Sequence, residues 1–255
     1  MPVRGTTLAM LMLAALLLLL PLRAGAQIAR SLAMIKPSVV AIGTFQRTRS
    51  PAFKFLATGF AVADGLTIAT NAHVVPTTLD SEHFEQLAIA IPAVEGKIEI
   101  RSARTKRIDK THDLAVLEIG GTPLPAARLG GDEPVPEGTE IGFTGFPIGG
   151  SLGLTPVSHR GMISAVTPIS IPQGNARRLD PRMVRSLAAP FKVYQLDATA
   201  YPGNSGSPLY DADSARVVGV INGVFVKGTK ENVISEPSGI SYAIPVRHLQ
   251  ALLGD

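Results

Sequence analysis

From Pro37 onward the apolar positions fall in short runs rich in Val, Ile, Leu and Ala, separated by Gly, Pro, Asn and Asp. Such runs with turn residues between them are strand signals. The first series predicts strands at 39–44, 59–62, 66–69, 87–91, 97–101 and 114–119. The second predicts them at 140–144, 161–166, 193–196, 208–210, 217–222 and 241–244. No long stretch keeps the 3.6-residue period of an amphipathic helix, and the one short helix expected is Val246 to Leu253. The segment Gly120 to Gly138, rich in Gly and Pro, divides the strands into two groups of similar number, as two packed barrels require. The fold class predicted is therefore all-β, with no self-similar period of a solenoid or propeller.

The N-terminus departs from this pattern. Arg4 is followed by an apolar run from Leu8 to Leu22 and then by Ala24-Gly25-Ala26. A basic start, an apolar stretch shorter than the ~20 residues a membrane helix needs, and a small-x-small end predict a signal peptide over residues 1–26, cut after Ala26. Residues 27–255 are then the exported chain, expected in the periplasm or outside the cell with no stable membrane anchor. Cleavage removes Arg4 and Arg23, lowering the formal charge of +4 by two. The basic residues that remain are scattered rather than blocked, which argues against nucleic acid as a partner. The chain has no cysteine, so disulfides, thiolate metal sites and a cysteine nucleophile are excluded.

Three segments carry candidate chemistry. Thr70-Asn71-Ala72-His73-Val74-Val75 places a histidine just after a predicted strand, a position that more often holds a hydrogen-bonded structural histidine than a general base. Asp113 opens the apolar run Leu114-Ala115-Val116-Leu117, where a partly buried carboxylate can orient an imidazole, or merely cap a turn. Tyr201-Pro202-Gly203-Asn204-Ser205-Gly206-Ser207-Pro208-Leu209 sets a serine between glycines. Glycines there permit unusual dihedrals and close substrate approach, and such a turn can aim the amides of Gly203 and Ser205 at one point, as an oxyanion hole does.

Together, in this order, the three segments resemble the His, Asp and Ser motifs of trypsin-like serine proteases, with the bacterial HtrA/Deg group the nearest in pattern. Leu196-Asp197-Ala198, Gly161-Met162-Ile163-Ser164-Ala165 and Gly239-Ile240-Ser241-Tyr242-Ala243-Ile244-Pro245-Val246 extend the resemblance from about Pro37 to Leu252. It implies two six-stranded antiparallel β-barrels of the chymotrypsin/trypsin-like fold, here an N-terminal barrel over 27–125 and a C-terminal barrel over 126–255, with a short C-terminal helix. It implies a His73–Asp113–Ser205 triad in the cleft between them, cutting peptide bonds through an acyl-enzyme with no metal or other cofactor. By the same resemblance Thr199 lies at the floor of the pocket for the residue before the cut, with Asn222, Gly223 and Val224 as walls. None of these is acidic, so a small or medium apolar residue is expected there rather than Lys or Arg. The order His, Asp, Ser and the residue Ser207 both exclude the G-x-S-x-G elbow of α/β-hydrolases.

The remaining histidines are expected to be solvated or structural. His112 should point to the opposite face from Asp113, His83 lies in a polar stretch, His159 in a turn and His248 on the terminal helix. Asp211 and Asp213 are too few for calcium and are expected in a hairpin turn. HtrA-like chains usually continue into a PDZ domain, whereas this sequence ends at Asp255. The segment Thr167 to Lys192, with Arg177, Arg178, Arg182 and Arg185, is expected to be a surface excursion. Polypeptides are the expected partners, and an oligomer is compatible with the resemblance. The alternative function is a protease-like peptide-binding or chaperone module with little catalysis, which would hold extended chains by strand addition.

Overall fold

In the computed structural model, which describes residues 22–92, 98–149, 153–168, 191–223 and 239–254, the short apolar runs become strands of two closed antiparallel barrels. The first contains β1 (Val39–Phe45), β2 (Phe53–Val62), β3 (Thr67–Asn71), β4 (Gln86–Pro92), β5 (Ile98–Asp109) and β6 (Leu114–Ile119). The second contains β7 (Glu140–Gly145), β8 (Val157–Pro168), β9 (Lys192–Asp197), β10 (Pro208–Asp211), β11 (Val217–Asn222) and β12 (Ile240–Pro245). Around the first barrel the order is β1-β2-β3-β6-β5-β4, and the second repeats it with β7-β8-β9-β12-β11-β10. Closure leaves neither sheet with a free edge, which removes the usual route to strand-to-strand aggregation.

Every predicted strand is present, and β2, β5 and β8 run several residues past their apolar runs. β5 continues to Asp109 through Arg101-Ser102-Ala103-Arg104-Thr105-Lys106-Arg107, whose side chains are mostly exposed. Backbone pairing to both β4 and β6 makes this a strand without help from an apolar face. β2 begins at Phe53, where it pairs with Phe45 of β1, and β8 begins at Val157, opposite Gly145 of β7. His159, expected in a turn, is therefore a strand residue.

Two helices bracket the barrels. α1 (Leu22–Ile35) lies across the β10–β11 hairpin, where the Ser31 hydroxyl donates to Ala212 O (2.7 Å) and the Gln27 amide to Asp213 O (3.0 Å). Asp211 closes that hairpin by accepting from Ser214 N and Oγ, both at 2.7 Å, as its turn-like sequence predicts. The cut expected after Ala26 falls inside α1, while residues 1–21 of the leader lie outside the described residues. Among the described residues no helix is long and apolar enough to cross a membrane. α2 (Val246–Leu253) matches its predicted span and ends at Gly254, whose φ of +89° is the left-handed C-cap that glycine accepts without strain.

One apolar cluster joins the two barrels. Ile35 of α1, Phe60 and Leu114 of the first barrel, and Val217, Ile244 and Leu249 on the side of the second barrel and α2 are buried together. This shared core fixes the relative placement of the barrel faces between which the candidate site lies.

Candidate active site

The first half of the site is made where β3 meets β6. Their pairing ends at Asn71 opposite Leu114, so the residues just beyond, His73 and Asp113, emerge side by side. A short 3₁₀ turn, Ala72–Val74, carries His73. Asp113 sits at φ +53°, a left-handed conformation that a non-glycine residue keeps only when its surroundings hold it. Its carbonyl accepts from Ala72 N (3.0 Å) and Asn71 Nδ2 (3.1 Å). Its carboxylate spans His73, with Oδ1 accepting from His73 N (2.8 Å) and Oδ2 lying 2.6 Å from His73 Nδ1. An ionised carboxylate at that distance keeps the proton on Nδ1 and leaves Nε2 with its lone pair. Both side chains are about four-fifths buried, at 18% and 22% exposure, so the bond is only weakly screened.

The second half is the loop between β9 and β10. Its anchors lie on the other barrel: Thr58 N of β2 donates to Ser205 O (3.0 Å), and Thr58 Oγ1 donates to Gly203 O (2.7 Å). Thr70 Oγ1 of β3 in turn donates to Thr58 O (2.7 Å). The strand leading to His73 is thereby tied to the strand holding Ser205.

Glycine is required at two points of this loop. Gly206 has φ +83°, and a Cβ there would stand 2.1 Å from Thr58 O. Gly203 has φ +102°, and a Cβ there would stand 2.3 Å from Phe146 O. The Pro202–Gly203 peptide is pinned by Ile148 N, which donates to Pro202 O (2.7 Å) and turns the Gly203 N–H the opposite way. Neither the Gly203 nor the Ser205 amide donates to any protein acceptor among the described residues. Two uncommitted N–H groups separated by one residue are what stabilisation of a developing oxyanion needs.

The two halves are stitched by the end of β11. Asn222 Nδ2 donates to Asp113 Oδ2 (2.8 Å), and the next residue, Gly223, donates its amide to Ser205 Oγ (3.3 Å). His73, Asp113 and Ser205 thus share one crevice. No hydrogen bond joins His73 to Ser205, whose hydroxyl rests on Gly223 instead.

The residues expected to line a substrate pocket divide. Gly223 lies beside Ser205 Oγ, and Thr199 is half-buried between Ala198 and Ala200. The Asn222 side chain turns to Asp113 and is fully buried, so it supports the carboxylate. Val224 lies outside the described residues, as do 169–190 of the expected surface excursion with all four of its arginines. Sequence reasoning missed Ser241. Ser241 lies on β12 beside Tyr242, the partner of Asn222, and pairs with Leu196 of β9. Its buried hydroxyl accepts from Ala200 N and donates to Ala198 O, both at 2.7 Å, bracing the backbone on either side of Thr199. Thr58 and Thr70 were also missed, since a threonine in a strand gives no signal of a cross-barrel bond.

Of the other histidines, His83 is exposed and bonded to Asp80 (2.8 Å). His159 stacks on Phe143 with ring centroids 4.7 Å apart, and burial pushes its imidazole below its ordinary range. His112 and His248 stack on each other.

The chain is 29% identical over 192 residues to a probable periplasmic serine endoprotease, DegP-like, of Halomonas elongata, a match covering 75% of this chain and 33% of that protein. It is 28% identical over 200 residues to the mitochondrial serine protease HTRA2 of Drosophila persimilis, covering 76% of this chain and 38% of the relative. The chain thus spans about a third of the length of these relatives. Among solved structures, Deg5 superposes with a TM-score of 0.63 at 22% identity, covering 90% of this chain and 93% of that one. The serine endoprotease from Yersinia pestis superposes at 0.61 and 24% identity, covering 89% and 65%. At these identities the structures share the fold. The sequence profile of the trypsin-like peptidase domain matches residues 57–220, from the strand that anchors the serine loop to the strand that stitches the crevice, and the chain belongs to that family.

Proposed function

We propose that the chain is a serine endopeptidase acting on exported or extracellular polypeptides. The observation that carries this is the Asp113–His73 bond of 2.6 Å, which leaves Nε2 as a base, together with the uncommitted amides of Gly203 and Ser205. In the reaction Ser205 Oγ leaves Gly223, attacks the peptide carbonyl and gives its proton to His73 Nε2. The tetrahedral oxyanion is held by Gly203 N–H and Ser205 N–H. The C–N bond then breaks as His73 protonates the leaving amine. Water, deprotonated by His73, cleaves the acyl ester and restores Ser205. Asp113 stays ionised throughout and stabilises the imidazolium.

The test is reaction with a serine-directed phosphonate, followed by mass-spectrometric location of the label and digestion of denatured casein. Labelling of Ser205 that stops casein cleavage is expected. Casein bound but never cut, with Ser205 unlabelled, would instead support the peptide-binding module. Export rests on the leader-like residues 1–26 and on the periplasmic relative.

Ser241 bears on which bond is cut. None of the expected lining residues Thr199, Asn222, Gly223 and Val224 is charged, and the buried Ser241 hydroxyl braces the backbone on either side of Thr199. Small or medium apolar side chains therefore fit before the cut, and a cation would lack a counter-charge. Ser241→Gly removes this brace and is expected to loosen the expected pocket floor at Thr199, shifting the mapped cuts from Ala and Val toward Leu, Met and Phe by roughly tenfold in kcat/KM, the scale of one or two methylenes. An unchanged cut map in this variant would show that the Ser241 brace does not shape specificity.

A further inference from the structure

Asp113 ends a turn that contains a second aspartate–histidine pair. The Asp109 carboxylate accepts from Thr111 N (2.8 Å) and His112 N (3.1 Å), and its other oxygen lies 2.5 Å from His112 Nδ1. The His112 ring stacks on His248 of α2, with centroids 4.0 Å apart and planes 21° apart. The edge of Phe191 closes on both rings, at 4.7 and 5.2 Å. Among the described residues the buried His248 Nε2 has no hydrogen-bond partner, so this imidazole serves as a flat apolar surface.

We infer that the His112–His248 stack is a positioning device for Asp113, making His112 and His248 positioning residues of the reaction ascribed to Ser205; the inference rests on that proposed reaction. Asp113 is held at φ +53° from two directions. On one side Ala72 N and Asn71 Nδ2 take its carbonyl. On the other its backbone continues directly into His112, whose ring is clamped between Asp109 and α2. Releasing that clamp frees the turn to relax toward ordinary dihedrals. The carboxylate then loses its paired hold on His73 N and Nδ1, where small displacements are costly to catalysis.

The stack suits a neutral His248. Burial, the neighbouring His112 and Arg247 hold it down at about 4, against the opposing pull of Asp109. Of the other cations nearby, Arg107 of β5 is engaged with Leu252 O at the far end of α2, and Lys110 is exposed in the turn. Because the ordinary value is 6.5, the unfolded chain takes up a proton between about 6.5 and about 4 that the folded chain does not. Stability from this site is thus complete above that window and is lost as pH falls through it.

The experiment compares kcat, KM and the pH profile of cleavage by the full chain and its His248→Ala and His248→Phe variants. His248→Ala is expected to lower kcat about tenfold at unchanged KM. It is also expected to move the acidic limb of kcat/KM to lower pH, since a loosened carboxylate stabilises the His73 imidazolium less. His248→Phe keeps a ring on His112 and is expected to keep both kcat and the limb. If His248→Ala folds poorly, His248→Leu makes the same comparison with the volume filled. A folded Ala or Leu variant with wild-type kcat and limb, or a Phe variant as impaired as either, overturns the inference. Protonation of His73 followed by NMR reads the same shift without turnover. A wild-type protein that cuts nothing would therefore sink the protease proposal while still deciding this one.

Discussion

Ser205→Ala is expected to lower kcat for cleavage of a peptide substrate about 10⁶-fold, the scale seen when a nucleophile is deleted from such a triad. The loss should be confined to chemistry. In the resting structure Ser205 Oγ accepts one hydrogen bond, from Gly223 N at 3.3 Å, whereas the loop's shape is set by groups the substitution leaves in place. Those are the Thr58 bonds to Gly203 O and Ser205 O, the Ile148 bond to Pro202 O and the Gly206 N bond to Ile221 O (2.9 Å). Circular dichroism and the thermal midpoint should thus match wild type, and KM should change little. A residual rate ~10³ to 10⁴ above that in water should survive, because the two amides and the binding cleft remain. Single-turnover cleavage of a fluorogenic peptide by both proteins measures this directly. A variant within about a hundredfold of wild type would mean that another group attacks the carbonyl.

The same residues show what a single sequence reveals and what it hides. Strands whose side chains fill a barrel were readable because burial writes itself as apolar runs: β1, β6 and β11 are buried along almost their whole length. The polar half of β5 was not, since it is a strand by virtue of its neighbours' backbones, and backbone pairing leaves no mark on residue type. α1 was obscured because its first turns continue the leader-like apolar stretch, and its docking on Ala212 and Asp213 joins opposite ends of the chain. At the site, His73, Asp113 and Ser205 were identifiable because their chemistry demands those residue types within characteristic local sequences. Their supports were not. Asn222 reaches Asp113 across 109 positions, Ser241 reaches Ala198 across 43, and Thr58 reaches Gly203 across 145. Each support is a common polar residue whose function exists only once the barrels have closed.

Asp113→Asn is the second large effect expected, a fall in kcat of about 10⁴-fold with the fold intact. The reason lies in how many donors face this carboxylate. Oδ1 receives the backbone amide of His73, while Oδ2 receives His73 Nδ1 and Asn222 Nδ2. An asparagine has one oxygen and one NH₂ for these two places. The backbone amide of His73 can only donate, so it claims the oxygen and the NH₂ is driven toward the imidazole. Asn222 adapts by flipping its own amide, but His73 adapts only by moving its proton to Nε2. In that tautomer the nitrogen facing Ser205 carries a hydrogen and has no lone pair, so the hydroxyl keeps its proton and attack stalls. NMR of the imidazole nitrogens should show the change from Nδ1–H in wild type to Nε2–H in the variant. Turnover by an Asp113→Asn protein within about tenfold of wild type, with Nδ1 still protonated, would remove Asp113 from the role argued for it.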